Sequence, residues 1–82
     1  MSDATPALVW GNMLHEIMQT CLATQRWDEF YVEDLIESAV LQKLPQIVNI
    51  GATIDEALLE VKLRSRGLKV FSERYIAELP KV

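Results

Sequence analysis

The segment PALVWGNMLHEIMQTCLA, residues 6–23, constrains the fold of this chain more than any other. At 100° per residue its polar side chains, Asn12, His15, Glu16, Gln19 and Thr20, fall in one narrow stripe. Trp10, Met13, Leu14, Ile17, Met18, Cys21 and Leu22 occupy the rest of the cylinder. A helix that is apolar over most of its girth has to be covered on several sides, so the other elements must wrap around it. Thr5 followed by Pro6 supplies an N-cap and a proline whose missing N–H costs nothing in the first turn. The polar stripe is left to face water or to line a pocket.

Two further helices follow from the same reasoning. After a polar turn at residues 23–28, Phe30, Val32, Leu35, Ile36, Ala39, Val40 and Leu44 recur on an apolar face, with Glu29, Glu33, Asp34 and Glu37 opposite. Acids in the early turns and Lys43 in the last suit the helix dipole. Pro45 should end or kink this helix near Leu44, because a mid-helix proline costs roughly 3 kcal/mol. Asn49 and Gly51 mark the next turn, and Thr53-Ile54-Asp55-Glu56 has the form of a capping box. Ile54, Leu58, Val61, Ser65, Leu68, Phe71, Tyr75 and Leu79 then trace a single seam past Gly67. The rival reading stops the helix at Gly67 and makes residues 68–76 a strand, but strict alternation fails at Ser72 and Arg74. The expected fold is therefore all-α, about three helices at roughly 6–24, 29–44 and 53–79, with a weak point at Gly67.

Size decides how self-sufficient such a bundle can be. A chain of 82 residues and 9.3 kDa hides only about 63% of its unfolded surface, and a lone core of this size gives a few kcal/mol. The single Cys21 permits no internal disulfide and no cysteine metal cluster. No apolar run reaches the length of a membrane span, and no basic segment precedes an apolar one at the start, so an intracellular protein is expected. The net charge of −4 is uneven. Residues 1–44 carry seven acids against two bases, whereas residues 45–82 carry five acids against six bases, four of these within KLRSRGLK at 62–69. On a helix Lys62, Arg66 and Lys69 share one stripe and suit a phosphate backbone, although a pI of about 4.8 is far from that of an autonomous nucleic-acid binder. The plainer alternative is a solvated face paired with Glu60 and Glu73.

One constellation carries chemistry. In GNMLHE, Gly11 lies one turn before His15, so the absent side chain leaves room above the imidazole, a competent ligand for divalent metals. A partly exposed histidine on a polar stripe is the simpler reading of the same residue. HEIMQ begins like the zinc-protease H-E-x-x-H motif, yet Gln19 stands where the second ligand is needed. There is no phosphate-binding loop, no dinucleotide fingerprint and no nucleophile elbow, and Cys21 has no second histidine-type base. These residues hold no complete catalytic site.

GNMLHEIMQ resembles the first motif of the RecB-like nuclease superfamily, in which a helix carries G-x-x-x-H-E. With the aliphatic lead-in ALVW, the acidic helix, the T-x-D-E box and the aromatic positions Phe71 and Tyr75, the chain resembles eukaryotic DNA replication helicase/nucleases of the iron-sulfur nuclease family. The resemblance implies 5′-flap processing and end resection in the nucleus, with the mitochondrion as a second location. It implies that His15 helps to bind a catalytic Mg²⁺ or Mn²⁺; the later helices, with Lys62, Arg66 and Lys69 on the basic stripe, are then expected to border the DNA. It also implies an iron-sulfur cluster and ATP-dependent helicase activity, but nothing here matches the ligands of either, nor the later Asp and Glu-x-Lys motifs. Residues 1–82 are accordingly expected to be one helical fragment of a larger α/β nuclease domain, inactive alone and partnered by the rest of that domain, with no membrane contact. Two alternatives are a free-standing three-helix interaction module without enzymatic activity, and a small acidic regulator of nucleic-acid-binding proteins.

Overall fold

The computed structural model of the chain describes the backbone of residues 5–78 and the side chains through Gly67. Four helices appear, α1 (Pro6–Thr24), α2 (Glu29–Gln42), α3 (Leu44–Asn49) and α4 (Ile54–Glu78), and no strand occurs among the described residues. The three long helices match the expected all-α architecture. The short α3 is the addition, and it has a local cause. Pro45 has no N–H with which to continue α2, so α2 closes on Lys43, whose own N–H bonds the Ala39 and Val40 carbonyls. Pro45 then sits in the first turn of a new helix, where no N–H is required. The turn after α3 has an equally specific cause: Gly51, just past the Ile50 cap, has φ 75°, a left-handed conformation that side chains disfavour. Its N–H bonds the Val48 carbonyl at 3.0 Å, and that of Ala52 bonds the Ile47 carbonyl at 3.1 Å.

The helix starts follow the sequence signals. Thr5 Oγ1 accepts from the Leu8 N–H at 3.3 Å. Thr53 Oγ1 accepts from the Glu56 N–H at 3.1 Å and donates to the Glu56 carboxylate at 3.2 Å. α4 runs without interruption through Gly67 to Glu78, so the strand alternative at residues 68–76 is excluded. The expected seam positions Leu68, Phe71, Tyr75 and Leu79 have side chains outside the described residues.

α1 packs against both α2 and α4, which also pack against each other, and α3 joins the ends of α2 and α4. The buried core takes Val9, Trp10, Met13, Ile17 and Cys21 from α1, Val32, Ile36, Ala39 and Val40 from α2, and Ile47 from α3. α4 contributes Ala57 and Val61, together with Ser65, whose hydroxyl is satisfied by donating to the Lys62 carbonyl at 2.7 Å. Two expected core positions are displaced. Phe30 is 79% exposed, because two residues before Val32 it points about 160° away from it, and i,i+2 neighbours do not share a face. Ile54 is 47% exposed; as the first residue of α4 its side chain leans off the helix end, and the seam is carried by Ala57, Val61 and Ser65 instead.

Between α1 and α2 the chain is clamped by side chains. Gln25 closes α1 in a left-handed conformation with φ 54°. Arg26 bonds Asp28 at 3.1 Å and lies 4.1 Å over the Tyr31 ring, while the Tyr31 hydroxyl donates to Thr24 Oγ1 at 3.2 Å. Asp28 caps α2 by accepting from the Tyr31 N–H at 2.9 Å. That bond, helped by the Arg26 guanidinium, holds the Asp28 carboxyl below the usual carboxylate range.

Two outcomes are expected in denaturant unfolding. Met13 is wholly buried, so Met13→Ala should cost about 2–5 kcal/mol, whereas Phe30→Ser should stay within about 0.5 kcal/mol of the parent. A carboxyl whose folded value is lowered stabilises the fold above its unfolded value near pH 4 and loses that stabilisation as pH falls through the folded value. The gap in stability between the parent and Asp28→Ala should therefore be full at pH 7 and shrink below pH ~4; a gap that does not change with pH would show that the charge plays no part.

Candidate functional site

α1 is covered on its apolar sides, so its polar stripe emerges where α2 and α4 leave it open. Asn12, His15, Glu16 and Gln19 are exposed there, and a side-chain carbon built on Gly11 would meet nothing within 4 Å. The space one turn before His15 is thus present in the structure. The Gln19 amide nitrogen stands 3.0 Å from His15 Nε2. An amide nitrogen only donates, so in this contact Nε2 is the acceptor and its lone pair is taken up by Gln19. The residue that breaks the H-E-x-x-H pattern is therefore the one that holds the histidine. Glu16 turns to a different neighbour and pairs with Lys43 at 3.3 Å, tying α1 to the α2–α3 junction.

A catalytic divalent ion needs several hard ligands. Among the described residues no group of three His, Cys, Asp or Glu side chains could hold a metal. His15 fits one position of a coordination sphere once Gln19 gives up Nε2: it is exposed and has open space beside it. Among the described residues no His, Cys, Asp or Glu set completes the sphere around it. Cys21 is excluded as a ligand by its setting. It is fully buried in the core, and desolvation, with the Asp28 charge adding to it, pushes its thiol up, away from the thiolate that binds metals.

The basic run divides between two faces. Arg64 pairs with Glu60 one turn back at 3.3 Å. Lys62 reaches across to α2 and pairs with Glu33 at 3.2 Å rather than with Glu60, and the side chain of Glu73 lies outside the described residues. Lys62 and Arg66 line the same cleft of about 210 Å³ between α2 and α4, with Trp27, Glu29, Val32, Ile36 and Ser65. The structure thus brings two of the three expected phosphate contacts together, while the side chain of Lys69 lies outside the described residues. No α1 residue lines the cleft, so His15 and the basic pair belong to separate features. Trp27 was readable only as a core aromatic, since its place beside Lys62 depends on a contact between two helices far apart in sequence. No described helix is long and apolar enough to cross a membrane.

No curated protein and no solved structure matches the chain. A family match does cover it from end to end: residues 1–82 correspond to the family described as DNA replication factor Dna2. That range contains His15 with its open approach, the basic cleft and all four helices, and on this ground the chain belongs to the DNA replication factor Dna2 family.

Proposed function

We propose that these residues form the helical part of the nuclease domain of an ATP-dependent DNA helicase/nuclease that processes 5′ flaps and resects ends, with His15 contributing one metal ligand. Family membership places the chain in a replication helicase/nuclease context. The observation that carries the finer reading is the exposed imidazole opposite the unfilled space at Gly11, on a helix otherwise buried by two neighbours. Bound beside His15, Mg²⁺ or Mn²⁺ would polarise the scissile phosphate and lower the pKa of a coordinated water. The chain's own part is narrower. α1 fixes the direction of the imidazole, Gln19 occupies Nε2 until a metal displaces its amide, and Gly11 keeps the approach clear. Carboxylates to complete the sphere must come from outside this segment, so the 82 residues alone are inactive.

Lys62, Arg66 and Lys69 border the DNA path in this reading. Cys21, the only cysteine, is sealed in the core and offers no thiolate to an iron-sulfur cluster, and the sequence has no phosphate-binding loop for ATP, so in this reading both groups of the parent protein are held elsewhere. A nuclear location, with the mitochondrion as a second, follows from the same family context. A second reading has its own support. Phe30, Val48 and Leu59 are exposed, which suits an interaction module that covers them with a partner.

The readings separate in one experiment. Within a helicase/nuclease that carries this segment, His15→Ala should lower DNA cleavage by more than about 100-fold, beyond the loss typical of removing a residue that only supports a ligand, and leave ATP hydrolysis unchanged. Cleavage at the parental rate would make His15 a surface histidine and favour the interaction module.

A further inference from the structure

The cleft between α2 and α4 has a construction that contact with a phosphate backbone does not require. Its apolar lining comes from Val32 and Ile36, both buried, and from Trp27. Trp27 is half-buried and packs against the core cluster, and its backbone lies between the paired residues Arg26 and Asp28. One rim is basic, with Lys62 and Arg66 one helical turn apart on α4; the other is acidic, with Glu29 on α2. At about 210 Å³ the cleft is smaller than the roughly 300–1,000 Å³ of sites that enclose a whole small ligand. It suits one flat group projecting from a longer molecule.

We propose that this cleft seats a single base of single-stranded DNA, stacked on Trp27, with the adjoining phosphates on Lys62 and Arg66. The proposal rests on the reading of Lys62 and Arg66 as DNA contacts and adds a base-accepting site to it. The combination of an aromatic platform and a cationic edge is what sequence-tolerant single-strand binding uses. A paired base cannot enter, since it lies within the duplex stack. The charge of the rims fixes the side on which the backbone runs, because Glu29 repels phosphate from the α2 edge. Lys62 is available at small cost: its pair with Glu33 is solvent-exposed, and such pairs contribute about 0–1 kcal/mol.

The test compares oligothymidylate with an abasic strand of the same length, at low salt, using the whole 82-residue chain. Labelled-strand anisotropy reports affinity and intrinsic fluorescence reports Trp27, with Trp10, only 4% exposed, as the silent background. Oligothymidylate should quench the fluorescence and bind about tenfold more tightly than the abasic strand. Trp27→Leu, which keeps apolar bulk, should reduce oligothymidylate binding to the abasic level and leave the abasic strand unaffected. Glu33→Gln should tighten both strands by about two- to fivefold, as Lys62 is released. Equal binding of the two strands, still weakened by Lys62→Ala and Arg66→Ala, would overturn the base site while leaving the phosphate contacts in place. Failure of both strands to bind would overturn the phosphate contacts as well. Quenching that does not weaken as salt rises would overturn the proposal, because the phosphates would then carry none of the binding.

Discussion

Burial of α1 is the constraint on which the rest of this molecule depends. A 19-residue helix that is apolar over most of its surface cannot be exposed, and two amphipathic helices are the least that will cover it. α2 and α4 do so by facing it with Val32, Ile36 and Val40 on one side and Ala57 and Val61 on the other. Small residues on α4, Ala57 and Ser65, let its backbone come close to the bundle. The cover leaves one stripe of α1 open, and that stripe carries the only histidine of the chain. Presentation of His15 is thus a by-product of how the core closes, and no separate loop or hinge is needed to position it.

Much of this was legible from residue spacing. The ends of α1 were set by Thr5-Pro6 and by the polar turn after Ala23, and the start of α4 by Thr53 and Glu56, because caps act through local hydrogen bonds that the sequence spells out. The division at Pro45 was legible as a break but not as a new helix, since a proline that ends one helix can equally begin another. Phe30 and Ile54 were misplaced for different reasons. Hydrophobic type suggested burial of Phe30, yet its angle relative to Val32 decided against it. Ile54 lies on the correct face but at a helix end, where a favourable angle has nothing to pack against.

The site was less legible than the fold, and the reason is physical. His15 and Gly11 lie on one helix, so their relation is fixed by the helix repeat and could be read directly. The pairing of Lys62 with Glu33, and the meeting of Lys62 and Arg66 with Trp27, span 29 residues or more and arise only when α2 and α4 are docked. Net charge gave no hint of it, because the acidic face of α2 masks the basic edge of α4 in any sum. The acid on one rim and the base on the other are what give the cleft a direction.

The central claim is that His15 is held by a helix buried between two others. Native-state amide hydrogen exchange as a function of urea tests it directly. The amides of Met13, Ile17 and Cys21 should exchange only through global unfolding, with the free energy and urea dependence of the whole chain. Exchange of those amides through a smaller, urea-independent opening, while α2 and α4 remain protected, would contradict the account: α1 would then be a loosely held helix, and the direction of the imidazole would not be set by the fold.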